Sequence, residues 1–203
     1  MLNHLFRSDD RVFLSRWLRA PLSTGAVTPS GRALARLMAA QIDPEADGHV
    51  IELGAGTGAI TRALLDAGVD CRRLVLIEKD PVLHGLLSRR YPALKVLLAD
   101  AAALPQVLAE AGVTRVSAVV SSLPLLSLAE RTQAAVLSAA ATVMDPASVF
   151  VQFTYGPRFP ASRSLLAANG LTARLAGFAL RNLPPATVWR ASLQQTAIPR
   201  SAA

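Results

Sequence analysis

Three carboxylates, Glu52, Glu78 and Asp100, each stand at the end of a short apolar run, and the first is joined to three glycines. Gly54, Gly56 and Gly58 recur at a spacing of two within residues 49–58, HVIELGAGTG. Such glycines let a backbone turn sharply and approach a ligand where a Cβ would clash. The run before them reads as a buried strand, and Ile60, Ala63, Leu64 and Ala67 after them recur at helical spacing. Strand, glycine turn and helix make the nucleotide-binding corner of an α/β fold.

The spelling narrows the ligand. Residues 54–59, GAGTGA, only half satisfy a dinucleotide fingerprint, because Ala59 takes the last glycine's place. The pattern is instead E-x-G-x-G-x-G, and a buried Glu52 would repel a pyrophosphate while suiting a ligand with an amino group. This resembles motif I of the class I S-adenosylmethionine methyltransferases. The resemblance implies that Glu52 holds the amino-acid end of that cofactor, with Gly54, Ala55, Gly56, Thr57 and Gly58 around it. Glu78 closes a second apolar run 24 residues after Gly54, near the roughly 20 expected for an acid that accepts both ribose hydroxyls. Asp100 closes a third, residues 95–99, and by the same resemblance bonds the exocyclic amine of adenine. Lys79, Ala101 and Ser121, beside these ends, complete the implied cofactor set. Taken singly, Asp80 and Asp100 also stand where helix N-caps belong.

The elements that position these groups follow in chain order. Residues 20–30 read as loop, and Ser30 is expected to cap a helix running to about Ile42. After the third strand come a helix over 103–111, a strand over 116–120, a helix over 130–144 and a strand over 148–155. A short helix over 162–168 and two strands, 172–180 and 186–193, close the chain, joined tightly through residues 181–185. Seven strands, with helices between the first five and a terminal hairpin, are the layout of class I methyltransferases: α/β, Rossmann-like.

Residues 1–19 are expected to form a separate amphipathic helix before a methyltransferase domain at 20–203. At 100° per residue Leu2, Leu5, Phe6, Val12, Phe13 and Trp17 form one stripe, with Arg7, Arg11 and Arg19 off it. That pattern serves an interfacial membrane helix, and equally a helix packed on the chain's own sheet. Net charge is +7 over 203 residues, and it is uneven: residues 146–203 hold six arginines and no acid. Basic ends around a small-molecule site point to an anionic partner, nucleic acid or phospholipid. With 52% hydrophobic residues and mean hydropathy +0.36 the chain can bury a full core. One cysteine, Cys71, excludes an intrachain disulfide and fits a reducing compartment. The longest uncharged stretch, 116–129, is too short to span a bilayer, no signal peptide is read at the start, and no metal is expected.

At the fourth strand's end, methyltransferases of nucleobase amines often carry N/D-P-P-Y or N-L-P-Y, whose aromatic stacks a flipped base. Residues 122–125, SLPL, keep Leu-Pro but have Ser for Asn and Leu for the aromatic. Residues 25–38, 50–65, 119–128, 152–157 and 182–190 together are similar to the bacterial phospholipid N-methyltransferases, themselves akin to the rRNA adenine dimethylases. The resemblance implies stepwise methylation of phosphatidylethanolamine towards phosphatidylcholine with S-adenosylmethionine. It also implies peripheral attachment to the inner face of the cytoplasmic membrane, with an anionic surface and a phospholipid as partners, no nucleic acid, and a monomer. An RNA adenine methyltransferase and a non-catalytic S-adenosylmethionine-binding membrane protein remain the alternatives. Tyr155, at the end of the fifth strand, is the expected catalytic residue, orienting the amine or facing the methylated cation with its ring. Arg158 and Arg190 are the candidates to grip the lipid phosphate.

Overall fold

The computed structural model describes residues 29–180, 182 and 184–194. The expected amphipathic helix over 1–19, with Leu2, Leu5, Phe6, Arg7, Arg11, Phe13, Trp17 and Arg19, lies outside them. The elements run α1 (Pro29–Ala39), β1 (His49–Leu53), α2 (Ala59–Asp66), β2 (Leu74–Glu78), α3 (Pro81–Arg90) and β3 (Lys95–Leu98). A 3-10 turn (Ala101–Ala103) leads into α4 (Leu104–Glu110), followed by β4 (Val116–Ser121) and a second 3-10 turn (Leu125–Ser127). Then come α5 (Glu130–Val143), β5 (Val149–Thr154), α6 (Arg163–Ala168), β6 (Leu171–Ala179) and β7 (Ala186–Leu193).

The described strands form one seven-stranded sheet in the order β3-β2-β1-β4-β5-β7-β6. β1 to β5 pair in parallel, while β7 pairs antiparallel with both β5 and β6. The terminal hairpin is therefore present, but β7 enters the sheet between β5 and β6. β2, LVLIE, is buried at every position, because strands covered by helices on both faces lose the polar alternation of a half-exposed strand. Alternate residues feed two cores. Val50, Leu74, Leu76, Val120 and Val151 pack under α1, α2 and α3; Ile51, Val75, Ile77, Val119 and Phe150 pack under α4, α5 and α6.

One local expectation shifts: α1 begins at Pro29, so Ser30 stands in its first turn and does not precede it. Glu78 is the last residue of β2, as its place at the end of the apolar run implies. Strand order reverses between β1 and β4, each of which ends at the same edge. That switch point opens a crevice outside the carboxyl ends of the strands, where open α/β sheets bind ligands.

Candidate functional site

The glycine turn sits in this crevice with all three glycines in the left-handed region: Gly54 at φ 69°, Gly56 at 58° and Gly58 at 82°. The reasons differ. A Cβ on Gly54 would meet Leu123 Cδ2 at 2.6 Å, and one on Gly58 would meet the Tyr91 ring at 2.7 Å. One on Gly56 would meet nothing nearer than the Gly54 carbonyl at 3.8 Å and would occupy the crevice itself. Tyr91 donates from its hydroxyl to Gly58 O at 3.2 Å, and Arg90 donates to Thr57 O at 3.1 Å. This back wall was not foreseen; a Tyr at a helix C-terminus carries no sequence signal of a partner 33 residues away.

Glu52 is fully buried. Thr61, in the first turn of α2, donates from its hydroxyl to Oε2 at 2.7 Å, and Oε1 has no partner among the described residues. Burial pushes the carboxyl up to about 8, opposed by the bonds from Thr61. An acid in that state is completed by a cation placed beside Oε1, which fits the ammonium end of S-adenosylmethionine and opposes a pyrophosphate. Glu78, also buried, accepts from the Gly56 N–H and the Asp80 N–H, both at 2.9 Å. It thus ties the glycine turn to the end of β2 while standing where ribose hydroxyls are expected. Asp100 accepts from Ala102 N–H through Oδ1 at 2.9 Å, so it does cap a helix, while Oδ2 lies 3.9 Å from Lys79 Nζ and the side chain is 55% exposed. Asp80 caps α3 through Val82 and Leu83. Ala55 and Ala101 are buried, and Ser121 accepts from Leu123 N–H at 3.4 Å. These residues all stand at the ends of β1 to β4, so the implied cofactor set shares one edge, and the orphaned Glu52 oxygen and the open space over Gly56 fit the group.

The acceptor side lies one strand further on. Leu125 is 1% exposed, so the residue in the aromatic's place presents no surface for stacking a base. Ser122 Oγ is buried and unpartnered among the described residues. Gln152 of β5, missed in the sequence because it reads as an ordinary strand residue, is fully buried and donates to Leu123 O at 3.0 Å and Phe153 O at 2.8 Å. Its Oε1 has no partner among the described residues. A mainly apolar depression is lined by Pro124, Leu125, Leu126, Phe153, Thr154, Tyr155 and Pro160. Tyr155 packs edge-on against Phe153, centroids 5.5 Å apart. Burial raises its phenol, against a hydrogen bond with Asn182, so at neutral pH it is a hydroxyl and not a phenolate. His49 and His84 reach backbone carbonyls of Arg115 and Val96, away from this edge.

The two arginines part company. Arg158 is exposed just past β5. Arg190 pairs in register with Val151, three residues short of the β5 end, and donates to Gln41 O at 3.2 Å just past α1. It holds a helix to the sheet, and the structure does not bring it to the crevice.

The sequence pattern of the family described as ribosomal RNA adenine dimethylase matches residues 33–124. A ribosomal RNA small subunit methyltransferase A of Chlorobium chlorochromatii is 43% identical over 54 residues, 27% of this chain and 19% of that protein. Among solved structures, the magnesium protoporphyrin IX methyltransferase of Synechocystis PCC 6803 with bound S-adenosylhomocysteine superposes with TM-score 0.64 at 15% identity, covering 90% of this chain and 94% of that one. The 1,6-didemethyltoxoflavin-N1-methyltransferase of Burkholderia thailandensis gives TM-score 0.65 at 14% identity over 91% and 87%. Identities that low speak to the fold alone. An ornithine lipid N-methyltransferase of Singulisphaera acidiphila is 33% identical over 153 residues, 73% of this chain and 79% of that one. Likeness of that grade over most of both chains is kinship: the chain belongs to the S-adenosylmethionine-dependent methyltransferases, in the family of that lipid N-methyltransferase.

Proposed function

We propose that this methyltransferase transfers methyl groups to the amine of phosphatidylethanolamine, and to its mono- and dimethyl forms, at a membrane surface. The observation that carries the reading is the acceptor wall: Leu125 is buried where a base-stacking ring would stand, and the depression beside it is apolar with Tyr155 on its side. The rRNA family's pattern ends at residue 124, one residue short of Leu125 and before the β5 side of that wall, whereas the lipid-methylating relative aligns over 153 residues. Peripheral attachment through residues 1–19 belongs to the same proposal, and among the described residues no helix is long and apolar enough to cross a membrane.

Bound S-adenosylmethionine supplies a methyl already activated on a sulfonium. The chain's task is then to hold a neutral amine in line, and proximity provides most of the acceleration. Ser122 Oγ, without a partner among the described residues, is the acceptor for an amine hydrogen, while the neighbouring Leu123 carbonyl already accepts from Gln152 and from the Leu125 N–H and fixes the loop. Tyr155 adds its phenolic oxygen and, as methyl groups accumulate, a ring face for the quaternary cation. Among the described residues no histidine stands at this edge and the phenol stays protonated, so neither takes the ammonium proton. Arg158, exposed just past β5, is the residue assigned in this reading to the lipid phosphate.

The test offers labelled S-adenosylmethionine with vesicles of phosphatidylethanolamine, with vesicles of ornithine lipid, and with RNA. Label in phosphatidylethanolamine is the expected result. Label confined to ornithine lipid moves the substrate to the second reading, which the 33% identical relative favours. Label in RNA overturns the lipid reading.

A further inference from the structure

Among the described residues the exposed large apolar side chains are Val82, Leu98, Leu126, Leu175, Phe178 and Leu180. All but Leu175 lie at one edge of the sheet. Val82 opens the helix after β2, Leu98 ends β3, Leu126 follows β4, and Phe178 and Leu180 stand at the end of β6. β6 is antiparallel to β7, which is antiparallel to β5, so its carboxyl end shares the edge where the crevice opens. Phe178 pairs in register with Thr187, which pairs with Thr154, the neighbour of Tyr155. Val82 and Leu98 border the acids of the cofactor end. Among the described residues of α1, β6 and β7 no acid borders Phe178 and Leu180, which are 59% and 75% exposed.

These two side chains form one wall of an open groove whose other wall is Ala33, Arg36 and Leu37 of α1. Arg32 and Arg36 are exposed on that helix, and Arg158 is exposed beyond β5. Neither α1 nor the chain from residue 146 onward contains an acid. Apolar tips flanked by guanidinium groups that pair with no acid among the described residues are complementary to an anionic bilayer: the rings and methyls enter the acyl boundary while the arginines meet phosphates.

We propose that the end of β6, Phe178 and Leu180, with Arg36 beside it, is a docking surface for an anionic phospholipid bilayer. It rests on the phospholipid reading above and adds an orientation, with the crevice edge turned to the membrane so that a headgroup reaches Tyr155 without leaving its leaflet.

The experiment uses the full chain. An environment-sensitive dye is attached to Leu180→Cys in a Cys71→Ser background and titrated with phosphatidylglycerol vesicles. Docking gives a blue shift that phosphatidylcholine vesicles reproduce weakly. Sedimentation with the vesicles but no shift overturns the proposal. A dye already shifted before vesicles are added also overturns it, because the groove is then covered by the chain itself. In parallel, Phe178→Glu with Leu180→Glu is expected to lower methylation of vesicle phosphatidylethanolamine about tenfold or more while turnover of a soluble short-chain phosphatidylethanolamine is unchanged. Equal rates on vesicles, or loss of RNA binding in place of vesicle binding, overturn the surface. Failure of the unmodified protein on the soluble lipid counts against the phospholipid reading alone, since the dye reports docking without turnover.

Discussion

At Gly56 and Gly58 the same substitution has different consequences. Alanine at either takes on a left-handed backbone, about 1–2 kcal/mol for a residue with a Cβ. At Gly58 it must also displace the Tyr91 ring, as overpacking that adds about 1–3 kcal/mol, so Gly58→Ala is expected to lower the melting temperature markedly. At Gly56 the new methyl faces open crevice, so the fold survives and S-adenosylmethionine affinity falls about tenfold or more. Calorimetry separates the two; ordinary affinity in Gly56→Ala would remove that glycine from the binding surface. Glu52 makes a second prediction at this scale. Its folded carboxyl titrates near 8 against 4.5 as the ordinary value, so folding favours the protonated form. The stability it contributes is fully present below 4.5 and is lost as pH rises through about 8. The cofactor-free protein should therefore weaken between about pH 5 and pH 9 more steeply than Glu52→Gln, which stays neutral. Equal slopes in chemical denaturation would mean that Glu52 is not held as a buried acid. Some of this was legible in the residues themselves: Glu52, Gly54 and Glu78 announced themselves by type and spacing. For Asp100 the cap and the ligand position were both readable, and only coordinates show that one oxygen caps while the other faces Lys79.

Elements were legible where the pattern is local. The apolar runs of β1 and β2 and the spacing of α2 name themselves, and β7 begins and ends where its alternation says. The insertion of β7 between β5 and β6 was not legible, because pairing of Gln152 with Trp189 is a long-range register that no local period encodes. Gln152 was missed for the same reason: its role depends on where the β4 loop passes over β5. Gln152→Leu removes two donated bonds, to the Leu123 and Phe153 carbonyls, the first of which keeps only the Leu125 N–H, at about 1–3 kcal/mol of stability. Turnover should fall further than S-adenosylmethionine affinity, since the loop it holds faces the acceptor; equal losses in both would assign it to general packing. Arg190→Ala should lower stability by about 1–3 kcal/mol through the bond to Gln41 O, with a smaller effect on lipid KM than Arg158→Ala. A larger KM effect from Arg190→Ala would return that arginine to the substrate.

Across the whole molecule, charge divides nearly along the line of function. The middle of the chain builds the cofactor end and the β4 side of the acceptor wall, while the basic stretch from residue 146 onward builds the β5 side of that wall and the far edge of the sheet. Composition displayed that imbalance before any coordinates. It could not say that Phe178 and Leu180 would share an edge of the sheet with Tyr155, two strands away across β7, because a strand's surface neighbours follow from sheet order. The central claim is that the amine accepted at this edge belongs to a phospholipid. Mass spectrometry of lipids extracted after the purified protein has acted on phosphatidylethanolamine vesicles with S-adenosylmethionine tests it most directly. The expected result is mono-, di- or trimethylated headgroups, lost in Tyr155→Ala although that variant still binds S-adenosylmethionine; unmodified phosphatidylethanolamine from the unaltered protein with S-adenosylmethionine bound would contradict it.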